Sequence, residues 1–169
     1  MKNGNRDYQY IDDIDEIKKL WWLHDSFWHA SLMREFGPEK ANRINLETNE
    51  RLFRMLTMML LKKGLIKKPE SIEDLMGIFK TIWKTCFFDD MYVNEPITFD
   101  GNTATWTGCE CNAYESISRA DLISDYECGC KAIRNGVMKA LRLKPLHTIE
   151  ESLVNGNGRC VVKLVFERQ

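Results

Sequence analysis

The sequence predicts an α+β fold in which N-terminal helices pack on a small antiparallel sheet of about four strands. Up to about residue 90, apolar side chains recur at helical spacing. After that point, short alternating runs rich in threonine, valine and aromatic residues replace them. Two glycine-containing turns, at 100–102 and 155–158, mark two hairpins with helices between them. We therefore expect one domain over residues 1–169, with a helical half (1–90) and a sheet-and-helix half (91–169).

The first two helices have clear boundary signals. Asp12 or Asp13 can cap a first helix that runs to about Phe36, where a Gly-Pro pair stops it. Pro38 suits the first turn of a second helix, because proline lacks the N–H that is unsatisfied there in any case. This second helix is rich in methionine and should end before Gly64.

The remaining elements follow from one capping box and two hairpins. Ser71 followed by Asp74 resembles a capping box and opens a third helix. In the last strand, the even-numbered positions should face the core, because apolar residues fill them. The predicted later elements are strands at 96–100 and 103–109, helices at 116–124 and about 128–143, and strands at 146–154 and 159–167.

Composition and charge exclude several classes of function. The 24 basic and 25 acidic side chains give a formal charge of −1, whereas nucleic-acid binding normally needs a basic surplus. Residues 1–10 are polar, and no apolar run approaches the roughly 20 residues of a membrane span. We therefore expect a cytoplasmic protein that binds neither nucleic acid nor membrane. Its six cysteines then favour metal binding, catalysis or packing over disulfides.

Five of the six cysteines fall in the second half of the chain. Cys109 and Cys111 end a predicted strand, where residues two apart point the same way at roughly 7 Å. Cys128 and Cys130 stand at a predicted helix start, where free N–H groups and the helix dipole favour thiolate. Cys160 opens the last strand. The order of elements therefore predicts that these five thiols gather beside the sheet.

Three interpretations of this cluster remain open from the residues alone. Zn²⁺ or an iron–sulfur cluster could be held by sulfur ligands, although the spacing is Cys-x-Cys and not the commoner Cys-x-x-Cys. The metal ligands would be Cys109, Cys111, Cys128, Cys130 and Cys160. A catalytic thiolate at Cys130 or Cys128 is the second interpretation. The third is that these are small buried residues, since free cysteine is among the most buried types.

The first helix carries a dense run of aromatic and polar residues over 21–29. Asp25 and His29 are four apart and can pair, which would orient a general base or a metal ligand. His24 could line a pocket. Trp21 and Trp28 of this helix would face Met55 and Met59 of the second and line a site for an apolar ligand. The alternative for all of these residues is ordinary core packing.

Parts of the chain resemble known families. The stretches 128–141, beginning Cys128-Gly-Cys130, and 150–166, with Asn-Gly-Asn-Gly before Cys160, resemble the C-terminal core of the 4-vinyl reductase domain and of L-2-amino-thiazoline-4-carboxylic acid hydrolase-like proteins. The segments 22–28 and 36–41 are similar to an uncharacterised bacterial and archaeal family with a Trp-x-x-His-Asp-x-x-Trp signature. The resemblance implies an α+β fold, a cleft for a small molecule and a metal role for Cys128, Cys130 and Cys160. The families' further cysteine before the last hairpin is missing here, so Cys109 or Cys111 would have to replace it.

These observations together predict a small-molecule-binding domain. Its ligand, apolar or heterocyclic, would lie between the front helices and the sheet, with the thiol cluster at one edge. As an enzyme it would hydrolyse a C–N or C–S bond, with Cys130 or Cys128 as nucleophile or metal ligand. The protons would then be handled by His24, Asp25 or His29. Two alternatives are a sensor or redox module that holds Zn²⁺ or an iron–sulfur centre, and a scaffold that forms a homodimer through exposed helix faces.

Overall fold

A computed structural model describes residues 13–167. It contains five helices and a five-stranded antiparallel sheet, which confirms the α+β class. The helices are α1 (Ile14–Phe36), α2 (Pro38–Lys62), α3 (Ile72–Cys86), α4 (Asn112–Arg119) and α5 (Cys130–Ala140). The strands are β1 (Tyr92–Asn94), β2 (Thr98–Asp100), β3 (Thr103–Cys111), β4 (His147–Glu151) and β5 (Cys160–Val165).

The first three helices begin where their local signals predict. The carboxylate of Asp13 caps α1 by accepting a hydrogen bond from the backbone N–H of Asp15 at 2.8 Å, while Asp12 lies outside the described residues. Gly37, with φ of 80°, ends α1, and Pro38 opens α2. The hydroxyl of Ser71 accepts from the N–H of Asp74 at 3.2 Å and caps α3.

The later helices begin at other residues than predicted. The helix expected at 116–124 is α4, which starts at Asn112 directly after β3 and ends at Arg119. The helix expected from about 128 is α5, which starts at Cys130 and ends at Ala140. Neither helix has a side-chain cap at its start. The capping signal that located α1 and α3 is therefore missing at these two boundaries.

The sheet has the order β1-β3-β5-β4, and β2 pairs with the same edge of β3 as β1 does. Both predicted hairpins are present, and Gly101 and Gly156 adopt positive φ in their turns. The sequence did not predict β1, a strand of three residues that is too short to show alternation. Val162 and Leu164, at even-numbered positions of β5, are each 2% exposed as predicted, whereas Cys160 is half-buried and the odd-numbered Val161 is also buried.

A bulge in β3 changes which side chains share a face. Val93 of β1 pairs with Glu110 and Asn94 pairs with Gly108, so Cys109 has no partner in β1. An extra residue of this kind reverses the alternation of side chains along a strand. As a result Gly108 and Cys111 line the same cavity, and Cys109 does not. The expectation that Cys109 and Cys111 share a face is therefore wrong.

Most of the core lies between the helices α2, α3 and α5 and the inner face of the sheet. α5 crosses α2 closely at Gly136, because a Cβ atom there would collide with the backbone of Glu50 and Arg54. Much of the surface of α1 is instead exposed to solvent: Trp21, Phe27 and Trp28 are 59%, 66% and 60% exposed. None of the helices within residues 13–167 has the length and apolar character that a membrane crossing needs.

Candidate active site

A cavity of about 80 Å³ lies where the sheet, α1 and the first turn of α5 meet. Four of the five cysteines predicted to cluster line it, from three places in the fold. Cys111 ends β3, Cys160 begins β5, and Cys128 and Cys130 flank the start of α5. The predicted convergence of thiols from distant parts of the chain is thus present for these four residues.

The local structure explains why β3 and β5 bring sulfur atoms to the cavity. Gly108 of β3 pairs directly with Cys160 of β5. A Cβ atom at Gly108 would lie 3.0 Å from the ring of Trp106, so a larger residue would crowd this corner. The absence of a side chain at 108 makes room for the ring of Trp106, which also lines the cavity. The bulge at Cys109 then turns Cys111 toward the same space.

Cys130 is the cysteine that the site holds as a thiolate. Its pKa falls to about 6, chiefly because the Cys128 thiol donates a hydrogen bond to the ionised sulfur. Burial opposes ionisation, but the positive charge of Arg134 and a hydrogen bond from the Tyr92 hydroxyl both favour it. Cys130 is also the first residue of α5, where free N–H groups stabilise negative charge.

The neighbouring thiols remain protonated. The pKa of Cys128 rises well above its usual range, first because it donates to Cys130 and second because it is buried. Burial raises the pKa of Cys111 to about 12, and the nearby charge of Cys130 adds to this. The sequence favoured both Cys128 and Cys130 for ionisation. The geometry assigns Cys130 as the anion and Cys128 as its hydrogen-bond donor.

Arg134 lies one helical turn after Cys130, and its side chain is buried, with 4% of the residue exposed. Its Nε and Nη2 atoms have no hydrogen-bond partner within residues 13–167. Burial lowers the pKa of Arg134, and the thiolate of Cys130 is the largest influence that raises it. Burial and this guanidinium also lower the pKa of His147, on β4, to about 4. The cavity wall therefore contains a buried cation with two unused N–H donors.

An aromatic cluster fixes the tyrosine that contacts Cys130. The ring of Phe87 lies 5.0 Å from Trp22, 5.2 Å from Trp83 and 5.5 Å from Tyr92, measured between centroids. Burial raises the pKa of Tyr92 well above its usual range. Tyr92 consequently stays protonated and able to donate. Tyr126, which also lines the cavity, is likewise kept neutral because burial raises its pKa.

α1 contributes Asp25 and His29 to the cavity wall. His29 is buried, and neither ring nitrogen has a hydrogen-bond partner within the described part of the chain. The adjacent amide of Asn42 is already bonded to the backbone of Asp125 and Glu127, at 2.6 and 3.2 Å. Burial lowers the pKa of His29 and raises that of Asp25. Burial thus disfavours the charged form of each group, and the predicted Asp25–His29 pair does not form.

The other predicted residues of the helical half lie away from the cavity. Trp21, His24 and Trp28 are exposed on the outer side of α1. This side faces out because Trp22 is held inward, where its indole N–H donates to the Cys86 carbonyl at 2.8 Å. Met55 and Met59 of α2 are 60% and 44% exposed. They do not face Trp21 and Trp28 across a pocket, since the inward stripe of α2 is Phe53, Thr57 and Leu60.

The two remaining cysteines also lie elsewhere. The sulfur of Cys109 is 3.9 Å from a carboxylate oxygen of Glu95, outside the cavity. Cys86 ends α3, and burial raises the pKa of its thiol. Within residues 13–167, no three histidine, cysteine or acidic side chains are arranged so that they could hold a metal ion. The predicted five-cysteine metal site is therefore reduced to four thiols around a small cavity.

A larger groove of about 540 Å³ adjoins the cavity. It lies between α3 and the strands β2 and β3, and apolar residues such as Phe79, Ile97 and Phe99 line it. Trp106, Arg134 and Val162 line both spaces. These three residues therefore form the wall between the cavity and the groove.

The sequence reasoning missed Arg134, Tyr92 and Tyr126. Arg134 had a usable signal, because residues four apart on a helix lie on the same face and Cys130 is four residues before it. Tyr92 had none, since it lies in the short strand β1 that the sequence did not predict. Tyr126 lies in the connection between α4 and α5, where the sequence shows no periodicity.

Comparisons with known proteins add nothing to this geometry. No protein-family model matches the chain, and neither does any curated protein. The arrangement of side chains around Cys130 is accordingly the main ground for assigning a function.

Proposed function

We propose that the protein is a hydrolase in which Cys130 attacks a C–N or C–S bond of a small molecule. The observation that carries this proposal is the position of Cys130 at the start of α5, in a cavity that Cys128 and Arg134 also line, where its pKa falls to about 6. A cysteine that only fills space should behave like Cys86, whose thiol pKa burial raises. The Cys128 thiol, the positive charge of Arg134 and the Tyr92 hydroxyl instead lower the pKa of Cys130. Such an arrangement activates a nucleophile.

The first chemical step needs groups that stabilise developing charge. When the Cys130 thiolate adds to a C=N or C=O carbon, negative charge builds on the attached nitrogen or oxygen. Arg134 has two free N–H donors in the cavity wall, and Tyr92 has a protonated hydroxyl. Preorganised donors of this kind are typically the largest single contribution to catalysis of acyl transfer.

The later steps need proton transfer, for which α1 supplies two titratable groups. Asp25, with a raised pKa, is suited to give a proton to the departing nitrogen or sulfur. His29, whose ring nitrogens have no hydrogen-bond partner within residues 13–167, is suited to take a proton from the water that frees Cys130. That water adds to the acylated carbon, the carbon–sulfur bond to Cys130 breaks, and the thiolate is restored.

The two adjoining spaces indicate the size of the ligand. A volume of about 80 Å³ holds a few water molecules or one small functional group, so only the reacting end of a substrate fits there. The adjoining groove is apolar, and the rest of the substrate would reach it past Trp106, Arg134 and Val162. This favours a small, apolar or heterocyclic substrate, as the resemblance to the thiazoline carboxylic acid hydrolase-like proteins also does.

Thiol alkylation tests the nucleophile without knowledge of the substrate. We expect iodoacetamide to modify Cys130 first, with a rate that rises with pH through a midpoint near 6 and then levels off. Mass mapping after limited labelling identifies the modified residue. The Cys109→Ser variant is the matched control, because Cys109 lies outside the cavity, and its profile should equal that of the unmodified protein. Labelling of Cys130 that is no faster than that of Cys109 would contradict the proposal.

Turnover tests the reaction class. The first probe is 2-amino-thiazoline-4-carboxylic acid, with thiol release as the readout and mass spectrometry to detect an adduct on Cys130. We expect release by the unmodified protein and its loss in Cys130→Ser. If Cys130→Ser keeps the activity, the nucleophile is assigned wrongly. If Cys130 alkylates fast but this probe is inert, thioesters and cyclic amides of similar size are the next probes.

A metal-binding sensor or redox module is the second candidate, and the meeting of four unoxidised thiols at one cavity favours it. It has less support, because the described residues contain no group with metal-binding geometry. Elemental analysis and a visible spectrum of anaerobically purified protein separate the two. One zinc per chain that is lost in Cys128→Ser, or the colour of an iron–sulfur cluster, would favour this candidate over hydrolysis.

A further inference from the structure

We infer that Cys130 and Cys128 form a dithiol that reduces small hydroperoxides such as hydrogen peroxide, with Cys130 as the attacking sulfur and Cys128 as the resolving one. This inference rests on the same reactive Cys130 as the proposed function. It assigns a second class of substrate and gives Cys128 a chemical role. Three features carry it: the size of the cavity, the unused donors of Arg134 and the backbone between the two cysteines.

The cavity size selects for very small reactants. About 80 Å³ of space exceeds the roughly 10–15 Å³ that one water requires, but only by a few-fold. Hydrogen peroxide, with two oxygen atoms, fits such a space next to Cys130. Larger electrophiles can place only their reacting end there, so the cavity favours small substrates.

Arg134 supplies the donors that a peroxide needs. Nε and Nη2 are buried, lie in the cavity wall and have no partner within residues 13–167. A guanidinium presents its N–H groups as a planar fork. That fork matches two bonded oxygen atoms and can stabilise the negative charge that builds on the departing oxygen.

The backbone between the two cysteines suits a disulfide. Gly129 has φ of −68° and ψ of −15°, which is right-handed helical geometry. Helix parameters then put the Cα atoms of Cys128 and Cys130 roughly 5.5 Å apart. Disulfides span Cα separations of roughly 4.4–6.8 Å. The two thiols also lie close enough for each to shift the pKa of the other.

The reaction balances as a two-electron exchange. The Cys130 thiolate attacks one peroxide oxygen, the O–O bond breaks, and the other oxygen leaves as water after it takes a proton. Cys130 is then a sulfenic acid. The Cys128 sulfur attacks it, an S–S bond forms, the S–O bond breaks, and a second water leaves with the Cys128 proton. Two thiols are oxidised to one disulfide, one peroxide is reduced to two waters, and an external dithiol restores the thiols.

The test treats the reduced full-length chain with limiting hydrogen peroxide and counts free thiols. We expect each chain to consume one peroxide and lose two thiols, with a Cys128–Cys130 disulfide in the peptide map that dithiothreitol reverses. Cys128→Ser should consume peroxide and stop at a sulfenic acid on Cys130 that dimedone traps. Cys111→Ser and Cys160→Ser should still form the Cys128–Cys130 disulfide. A disulfide that maps to Cys111 or Cys160 in the unmodified protein overturns the assignment.

The Arg134→Lys variant keeps the positive charge and removes the planar pair of N–H donors. We expect it to slow peroxide consumption by at least about tenfold while the iodoacetamide rate of Cys130 falls much less, and circular dichroism checks the fold. An equal loss in both rates would overturn the role of the fork. Fast alkylation of Cys130 with peroxide consumption no faster than that of free cysteine overturns this inference and leaves the proposed function standing. Slow alkylation of Cys130 overturns both.

Discussion

The helices α5 and α1 both line the cavity, but they differ in how much of each helix is buried. Six of the eleven residues of α5 are buried, whereas three of the twenty-three residues of α1 are. α5 supplies Cys130 and Arg134 from a helix that neighbours enclose. α1 supplies Asp25 and His29 from a single inward stripe, and its other sides are exposed. The difference indicates that the nucleophile and its cation are fixed by packing, while the proton-transfer groups sit on a less constrained element.

The largest effect should come from the charge that α5 holds. The pKa of Cys130 is about 6 in the fold against a usual 9, so its ionisation contributes stability that is fully present above about pH 9. That contribution is lost as the pH falls through about 6. Each unit of depression corresponds to about 1.4 kcal/mol. We therefore expect the stability difference between the unmodified protein and Cys130→Ser to grow by up to a few kcal/mol between these limits.

Urea unfolding at a series of pH values measures this difference, and Cys109→Ser serves as the control because its sulfur lies outside the cavity. A difference that stays constant across the range, or that shrinks as the pH rises, would show that Cys130 is not held as a thiolate.

The next effect tests the inward stripe of α1. We expect His29→Gln to lower turnover about a hundredfold, since general acid–base groups typically contribute at least this much. His24→Gln is the matched control on the same helix, because His24 faces outward. The alkylation rate of Cys130 should change little in either variant. If both variants lose turnover equally, α1 does not act through its inward stripe.

A smaller effect tests how tightly α5 is held. Gly136→Ala would push a methyl group into the backbone of Glu50 and Arg54, so we expect a loss of about 1–3 kcal/mol and slower alkylation of Cys130. Gly77→Ala in α3 is the control, because nothing lies within 4 Å of a Cβ atom there. It should raise stability by about 0.5–1 kcal/mol, since alanine is the better helix former. Denaturant midpoints measure both changes in stability. A Gly136→Ala variant that is as stable as the unmodified protein would contradict the close crossing.

The smallest effect concerns the outer side of α1. Trp28 is 60% exposed, so Trp28→Gln should change stability by less than about 0.5 kcal/mol and leave Cys130 alkylation unaltered. Denaturant midpoints and the alkylation rate of Cys130 measure these two effects. A loss above about 1 kcal/mol would mean that this side is covered in solution and that α1 is less free than its exposure indicates.

The sequence predicted those features that local signals determine. Asp13, Pro38 and Ser71 marked three helix starts, because capping and proline geometry act within a few residues. The convergence of four cysteines followed from the order of strands and helices. The bulge at Cys109 could not be predicted, since an extra residue in a strand leaves no pattern when both of its neighbours are polar or small.

The orientation of α1 was also beyond sequence reasoning. Apolar or aromatic residues occur on several sides of this helix, so no single stripe identified the inner face. Packing against Phe87 and the Cys86 carbonyl selects Trp22, and those partners are more than sixty positions away in the chain. Long-range contacts of this kind decided which of two adjacent tryptophans contacts the cavity.

The wall that Trp106, Arg134 and Val162 form between the two spaces limits how the protein can diversify. A change at any of these positions alters the groove and the chemistry at Cys130 together, so neither can be tuned there alone. Positions that line only the groove, such as Ile97 and Phe99, are free of this restriction. Relatives that evolve toward new substrates should therefore vary at such positions and retain the partition itself.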